Sequence, residues 1–288
     1  MKVVTVATDL ENSFLTRLLI PSCGAAGLDL VVLHSTLEQF TFADKRAILT
    51  KYLSGVADRD ELILFTDAYD TLFLRGEEYI TQAYARFSQR VVFGAELNSW
   101  PLGVIAYALH DRPPQGAYPY LNSGGFLGPA GDLLDLCDKY PEPPSERFDV
   151  LERMRAHGYD TDQEFGFSDQ YHWTLVQLLE PDRIAVDHEA LIFECFGPPA
   201  PNLVLMDVMR DVIDYRKFGV KAASYKRELA RIQERLKVPS EAAQVHFAGT
   251  VTKAALLELL DEGLLPEWLT GAAGSGPAPG RPVEIRQI

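Results

Sequence analysis

The chain has 288 residues, of which 47% are hydrophobic and 24% are charged, and its formal net charge at pH 7 is -14. This composition is typical of a folded globular protein and argues against intrinsic disorder. The negative charge disfavours nucleic acid and membrane partners, because these are held chiefly by clustered lysines and arginines. An acidic protein that binds an anionic ligand needs local cations, which a divalent metal can supply.

The amino terminus and the cysteines bear on the cellular compartment. The apolar run at residues 3–7 is too short for a signal peptide. No stretch of the sequence approaches the roughly 20 apolar residues of a membrane span. Cys23, Cys137 and Cys195 are odd in number and far apart, which argues against a disulfide framework or a zinc cluster. We therefore expect a cytoplasmic protein with three structural thiols.

Short runs of β-branched and apolar residues alternate with longer segments of helical period. The alternation predicts an α/β fold with a mostly parallel central sheet flanked by helices. We expect residues 1–270 to form one domain, and residues 271–288, whose composition is that of a linker, to form a tail. The predicted strands are residues 3–7, 29–34, 62–66 and 90–95, and the predicted helices are residues 42–53, 77–88, 132–139 and 224–236.

The predicted strand at residues 62–66 is followed by two carboxylates, Asp67 and Asp70. In open α/β sheets ligands bind at the carboxyl ends of strands, so both acids are expected to face a crevice. Carboxylate oxygens suit Mg²⁺ or Mn²⁺, and such an ion can bridge the phosphates of a nucleotide and neutralise a departing diphosphate. The segment alone is also compatible with acids that only end the strand or cap the next helix.

Two further segments carry candidate ligand-binding residues. Paired glycines in residues 121–128 permit close approach of the backbone to a ligand, and the amide of Asn122 can orient sugar hydroxyls. In residues 244–253, His246 ends a predicted strand and can complete a metal shell, while Lys253 can meet a diphosphate. Taken singly, these segments are also compatible with a tight turn and a structural histidine.

Together these motifs resemble the glycosyltransferase domain of the procollagen lysyl hydroxylases and, more loosely, the procollagen galactosyltransferases. The resemblance covers most of residues 1–268 and keeps the order of the motifs. It implies a GT-A type fold, which is Rossmann-like. The similar segments are Val6-Ala7-Thr8, the Asp-x-x-Asp motif of Asp67 and Asp70, residues 92–96 with Trp100-Pro101, residues 121–128, Asp169-Gln170, Asp187-His188 with Ile192-Phe193, and His246 with Lys253.

The resemblance also implies the ligands and their places. It implies a sugar donor carried on uridine diphosphate (UDP), with manganese, or magnesium in its place, held by Asp67, Asp70 and His246. It places Trp100, Asn122, Asp169 and Gln170 on the side of the donor sugar and the acceptor. The residues expected to bind the uridine and the diphosphate are Val6, Thr8, Lys45, Tyr69, Gly249 and Lys253.

The predicted function is metal-dependent transfer of a hexose from a UDP-sugar to an acceptor hydroxyl on a peptide, a glycan or a small molecule. Asp169 or Glu96 is the candidate general base. No hydroxylase domain fits in the remaining residues, so we expect a stand-alone transferase. One alternative is a sugar-phosphate nucleotidyltransferase, although such enzymes usually carry a glycine-rich basic loop where residues 8–13 are acidic. The other is a catalytically inactive scaffold that binds a nucleotide sugar.

Overall fold

The computed structural model describes residues 1–110, 116–197, 218–220, 223–273 and 283–288. Its strands form one mixed sheet, in the order β10-β2-β1-β3-β6-β5-β8-β9-β4, with β7 paired to β5. The strands are β1 (Lys2–Ala7), β2 (Leu30–His34), β3 (Leu62–Thr66), β4 (Thr71–Phe73), β5 (Val91–Glu96), β6 (Tyr120–Pro129), β7 (Ile184–Val186), β8 (Phe193–Cys195), β9 (Gln244–His246) and β10 (Glu284–Gln287).

Most strand pairs of this sheet are parallel. β1 runs parallel to β2 and β3, β10 runs parallel to β2, and β8 runs parallel to β5 and β9. β6 lies antiparallel between β3 and β5, and β4 lies antiparallel to β9. The predicted fold class, α/β with a mostly parallel central sheet, is therefore confirmed.

The helices of the described residues flank this sheet, and none of them is long and apolar enough to cross a membrane. The predicted helix at residues 77–88 ends earlier, at Tyr84, because the next amides bond in tight turns, Arg86 to Ala83 and Phe87 to Tyr84. The helices are α1 (Ile20–Ala25), α2 (Phe42–Ser54), α3 (Glu77–Tyr84), α4 (Ile105–Leu109), α5 (Ala130–Lys139), α6 (Asp149–Ala156), α7 (Thr161–Phe165), α8 (Asp169–Leu179), α9 (Ala223–Arg235), α10 (Thr250–Asp261) and α11 (Glu267–Ala273), with a π-helical turn at Leu15–Leu19 and a 3-10 turn at Ser145–Arg147.

Successive residues of the central strands pack on opposite faces of the sheet. Phe65 and Phe93 belong to one buried apolar cluster, whereas their neighbours Leu64 and Val92 belong to another. Side chains alternate between the faces of a pleated strand, so strands covered on both faces are apolar at every position. These two clusters anchor the central strands, and the polar residues discussed below follow the strand ends.

The carboxyl-terminal strand is an element for which the sequence gives no signal. β10 lies within the predicted tail and pairs in parallel with β2 at the edge of the sheet. Its four side chains are exposed, and the residues on either side of it, Val283 and Ile288, pack against the two core clusters. An exposed edge strand is held by backbone hydrogen bonds, so it needs no apolar pattern that a sequence could reveal.

Candidate active site

Three candidate metal ligands lie together beside β3, β4 and β9. Asp67 and Asp70 lie in the turn between β3 and β4, and His246 is the last residue of β9. Because β4 pairs with β9, Thr71 lies directly opposite His246. One ligand atom from each of the three residues lies within 4.8 Å of the other two. The structure thus brings together residues that are up to 179 positions apart along the chain.

This group of side chains fits a hard divalent cation. Carboxylate oxygens combined with an imidazole nitrogen are ligands that Mn²⁺ accepts. Asp70 Oδ1 is buried and has no hydrogen-bond partner among the residues that the structure describes. His246 Nε2 lies 3.4 Å from this oxygen. Because a buried carboxylate oxygen without a hydrogen bond is costly, a cation at this point would stabilise it.

Asn122 fixes the orientation of the His246 ring. Asn122 Oδ1 accepts a hydrogen bond from the Gly124 backbone N–H at 2.9 Å and lies 2.9 Å from His246 Nδ1. Since the backbone amide can only donate, the atom facing it is the carboxamide oxygen, and Nδ1 of His246 must therefore carry a proton. The other ring nitrogen, Nε2, is left facing Asp70, the arrangement that a metal-binding histidine requires.

Two lysines pair with the acidic residues. Lys45 Nζ lies 2.9 Å from Asp67 Oδ1, and Lys253 Nζ lies 3.1 Å from Asp70 Oδ2. Burial opposes ionisation of Asp70, but the charges of Lys253 and His246 outweigh it and keep the pKa of Asp70 below its usual range. Burial likewise opposes protonation of His246, but Asp70 raises the pKa of His246 well above its usual value. A metal ion must therefore compete with these positive charges.

Asp169, one of the two candidate bases, is held by two cations. It is the first residue of α8 and is buried, with Lys45 Nζ and Arg46 Nη1 each 3.1 Å from its carboxylate. Burial opposes its ionisation, but Lys45 and Arg46 lower the pKa of Asp169 below its usual value. A carboxylate of low pKa that already binds two cations is a poor proton acceptor. No sequence motif indicates a role for Arg46.

Glu96, the other candidate base, lies in a different setting. It ends β5 and is buried, and Gln170 Nε2 donates hydrogen bonds to Glu96 Oε1 and, at 2.8 Å, to the Trp100 carbonyl. Gln170 Oε1 in turn accepts a hydrogen bond from Asn122 Nδ2 at 3.2 Å. Burial raises the pKa of Glu96 to about 7, which is close to the optimum for a general base at neutral pH. A chain of side chains thus runs from Glu96 through Gln170 and Asn122 to His246.

Tyr69 connects the acidic turn to the loop after β1. Its hydroxyl oxygen accepts hydrogen bonds from the backbone N–H groups of Thr8 and Asp9, both at 2.7 Å. Thr8 is exposed and Tyr69 is half-buried, so this part of the expected nucleotide site is open to solvent. Of the other residues expected there, Val6 packs in a core cluster, and Gly249 precedes α10 with φ of 90°.

A buried polar chain that the sequence did not reveal supports the acidic turn. Gln244 Nε2 donates to Thr66 Oγ1, the hydroxyls of Thr66 and Thr71 lie 2.6 Å apart, and Thr71 donates to the Asp67 carbonyl at 2.6 Å. One signal was present in the sequence. Gln244 lies two residues before His246 on the same strand, and such residues share a face of the sheet.

The Asp187 motif, which contributes to the family resemblance, shapes a loop. The fully buried carboxylate of Asp187 accepts backbone hydrogen bonds from Leu191, Ile192 and Phe193 at 2.7–2.9 Å. These bonds close the turn that leads into β8, which lies beside β9. The motif therefore supports the position of the strand that carries His246.

Comparisons with known proteins point to one family. Residues 1–143 match the family described as "PLOD GT domain". The chain is 30% identical over 174 residues to human "Procollagen-lysine,2-oxoglutarate 5-dioxygenase 1", and the alignment covers 56% of this chain and 20% of that protein. It is 31% identical over 158 residues to "Uncharacterized protein R699" of Acanthamoeba polyphaga mimivirus, and this alignment covers 53% of this chain and 28% of that protein. The match thus spans less than a third of the length of each of these relatives.

Solved structures give a weaker likeness over more of the chain. Mouse xyloside xylosyltransferase 1 in its apo form has a TM-score of 0.47 at 12% identity, covering 85% of this chain and 96% of that chain. The glycosyltransferase GlyE of Streptococcus pneumoniae TIGR4 has a TM-score of 0.39 at 11% identity, covering 92% of this chain and 66% of that chain.

The mostly parallel sheet, the acidic turn at its strand ends and the sequence match together indicate a protein of the glycosyltransferase class. More specifically, residues 1–143 carry the sequence of a glycosyltransferase domain of the PLOD family. Both the fold class and this family resemblance were predicted from the sequence motifs, and both are confirmed.

Proposed function

We propose that the protein is a metal-dependent glycosyltransferase that moves a hexose from a UDP-sugar to an acceptor hydroxyl. The observation that carries the proposal is the grouping of Asp67, Asp70 and His246 within 4.8 Å, with Asp70 Oδ1 buried and without a hydrogen-bond partner among the described residues. These three residues would hold Mn²⁺ or Mg²⁺. When bound, the ion supplies electrostatic stabilisation to the diphosphate leaving group.

The donor nucleotide is assigned to the surface beside Thr8 and Tyr69. The two backbone hydrogen bonds to the Tyr69 hydroxyl hold the ring in one orientation, which suits it for stacking on a base. Lys253 and Lys45, which pair with the two aspartates, bring positive charge to the expected position of the diphosphate. Such charge matters most in the transition state, as the diphosphate departs.

Glu96 is assigned the role of general base. As the acceptor oxygen bonds to the anomeric carbon, the bond from that carbon to the diphosphate oxygen breaks, and the hydroxyl proton passes to Glu96. Its pKa of about 7 allows a large fraction of the carboxyl to be ionised at neutral pH and still able to take a proton. Gln170 and Asn122 hold Glu96 and His246 at opposite ends of one hydrogen-bonded chain, which fixes their relative positions.

The proposal is tested by measuring UDP release from a panel of UDP-hexoses in the presence of Mn²⁺. We expect release from at least one donor, its loss on chelation, its recovery when Mn²⁺ is restored, and its loss in Asp70→Asn. Asp135→Asn serves as a matched control, because Asp135 is an exposed acid that pairs with Arg59 on the surface. Absence of both UDP release and UDP binding would contradict the proposal, and pyrophosphate release from UTP and a sugar 1-phosphate would favour a nucleotidyltransferase.

A further inference from the structure

The strand β10 forms an open edge of the sheet. It ends the strand order and pairs on one side with β2, and no strand of the described residues pairs with its other side. All four of its side chains are exposed, and Ile285 has 55% of its surface exposed. Such an edge presents backbone donors and acceptors that can pair with a strand of another chain.

The hydrogen bonds to β2 determine which backbone groups of β10 face outward. The Ile288 N–H donates to the His34 carbonyl at 3.1 Å. In a parallel pair, the N–H and C=O groups of every second residue face the partner strand. The backbone groups of Arg286 and Glu284 therefore also face β2, and those of Ile285, which lies between them, face away from the sheet.

These outward groups allow β10 to pair in antiparallel orientation with β10 of a second copy. If a twofold axis passes beside Ile285, the two copies of this residue lie opposite each other and exchange both N–H···O=C hydrogen bonds. Glu284 of each copy then lies directly opposite Arg286 of the other. Such flanking residues form the pairs in which opposite side chains approach most closely. The pairing thus places an ion pair on each side of the axis.

Charge selects this register over the two adjacent ones. Moving the axis by one residue in one direction places Arg286 opposite Arg286, and moving it in the other direction places Glu284 opposite Glu284. Like charges directly opposite each other on adjacent strands destabilise the pairing, whereas opposite charges stabilise it. Arg286 Nε lies 2.6 Å from Glu284 Oε1 within one copy, so both side chains lie on the same face of the strand, as the pairing requires.

The open edge is anchored to the core and lies away from the candidate active site. Val283 and Ile288, on either side of β10, pack against the clusters on the two faces of the sheet. The strands β2 and β1 separate β10 from β3, which the acidic turn follows. Pairing through β10 is therefore independent of the proposed transferase function.

We propose that β10 is a self-association edge, through which two copies of this chain form a twofold-symmetric dimer with one continuous sheet. A second copy fits this edge because Glu284-Ile285-Arg286 is complementary to itself in antiparallel orientation. Each copy uses the same edge, so this contact closes at two copies. A strand of four residues buries little surface, so the dimer is weak and depends on protein concentration.

The first test is analytical ultracentrifugation of the full chain over about a hundredfold range of concentration, in which we expect a monomer–dimer equilibrium. Glu284→Arg and Arg286→Glu, each alone, place like charges opposite each other and should raise the Kd of the dimer about tenfold or more. An equimolar mixture of the two variants should restore the dimer, because each arginine then faces a glutamate. Glu142→Arg, at an exposed acid in the loop after α5, is the matched control and should leave the Kd unchanged.

The second test removes the outward backbone donor. Ile285→Pro deletes the N–H that faces outward and keeps those that bond to β2, a position at which edge strands tolerate proline. It should abolish the dimer, whereas Ile285→Val, which keeps the N–H, should not. Circular dichroism checks that each variant is folded. A protein that is monomeric at every concentration, a dimer that persists in Ile285→Pro, or a mixture of the two charge variants that stays monomeric would each overturn the proposal.

Discussion

The imidazole ring of His246 fills the space beside Gly124 in which any larger residue would carry its Cβ. A Cβ built on Gly124 would lie 2.2 Å from Cε1 and 2.4 Å from Nδ1 of that ring. Contacts this short are not tolerated, so the ring or the strand would have to move. Together with the hydrogen bond from Nδ1 to Asn122, this close packing means that β6 sets the position of the third candidate metal ligand.

We expect Gly124→Ala to weaken metal binding, because the methyl group displaces the His246 ring. The Kd for Mn²⁺, measured by electron paramagnetic resonance of the free ion, should rise about tenfold or more. Gly24→Ala is the matched control, since a Cβ at that helical glycine meets no atom within 4 Å. An unchanged Kd in Gly124→Ala would show that His246 does not bind the metal.

Lys253 is expected to affect metal and nucleotide binding in opposite directions. Lys253→Met removes the ammonium 3.1 Å from Asp70 Oδ2, so Mn²⁺ alone should bind several-fold more tightly. UDP should bind several-fold more weakly in the presence of Mn²⁺, because a positive charge near the diphosphate is lost. Calorimetric titration of both ligands tests this.

The control for that experiment is Lys51→Met, which removes an exposed lysine of α2. It should leave both affinities unchanged. If Lys253→Met weakened Mn²⁺ and UDP binding alike, Lys253 would act by supporting the fold of the site, and the competition with the metal would be refuted.

Transfer should depend on the ionisation of Glu96. Because the general base acts in its deprotonated form, activity should increase as the pH rises through about 7, the pKa of Glu96. Glu96→Gln keeps an oxygen to accept from Gln170 but cannot take a proton, so kcat should fall about a hundredfold or more. If the Glu96→Gln variant retained activity with the same pH profile, Glu96 would not be the general base.

The same substitution should stabilise the protein at high pH. The pKa of Glu96 is raised by burial from 4.5 to about 7, so the folded state holds this proton more tightly than the unfolded chain does. The stability contributed by the carboxyl is complete below about pH 4.5 and is lost as the pH rises through 7, a loss of roughly 3 kcal/mol. Urea unfolding should therefore show Glu96→Gln more stable than the unsubstituted protein at pH 8, with the difference largely gone at pH 4.5.

Asp169 is expected to serve stability more than proton transfer. Asp169→Asn leaves Lys45 and Arg46 with less negative charge in a buried setting and should lower the free energy of unfolding by about 3 kcal/mol. The rise of activity with pH near 7 should persist in this variant. Asp182→Asn, at an exposed acid, is the control for urea unfolding. If Asp169→Asn lost the pH dependence, Asp169 and not Glu96 would be the general base.

The place of the acidic turn could be predicted because it depends on local sequence. An apolar run long enough for one strand is followed at once by Asp67 and Asp70, and strand ends in such sheets face the ligand. The sequence also placed His246 at a strand end. That Asn122 would bind His246 could not be predicted, because the pairing of β6 with β5 and β3 sets which side chains meet.

The glycine pair shows more clearly what cannot be predicted from the sequence. From the sequence, the pair Gly124-Gly125 predicts close approach of a ligand to the backbone. Their missing side chains instead make room for protein groups, namely the His246 ring at Gly124 and the Gln244 side chain at Gly125. A sequence shows where space is left open, but tertiary packing decides what fills it.

The measurement that tests the central claim most directly is pulsed electron paramagnetic resonance of Mn²⁺ bound to the protein with UDP. Binding through Asp67, Asp70 and His246 predicts one bound Mn²⁺ with nuclear modulation from an imidazole nitrogen, which disappears in His246→Gln and is retained in His157→Gln, a substitution at an exposed histidine. Mn²⁺ that binds without nitrogen modulation, or no binding of Mn²⁺ in the presence of UDP, would contradict the assignment of these three residues as the metal site.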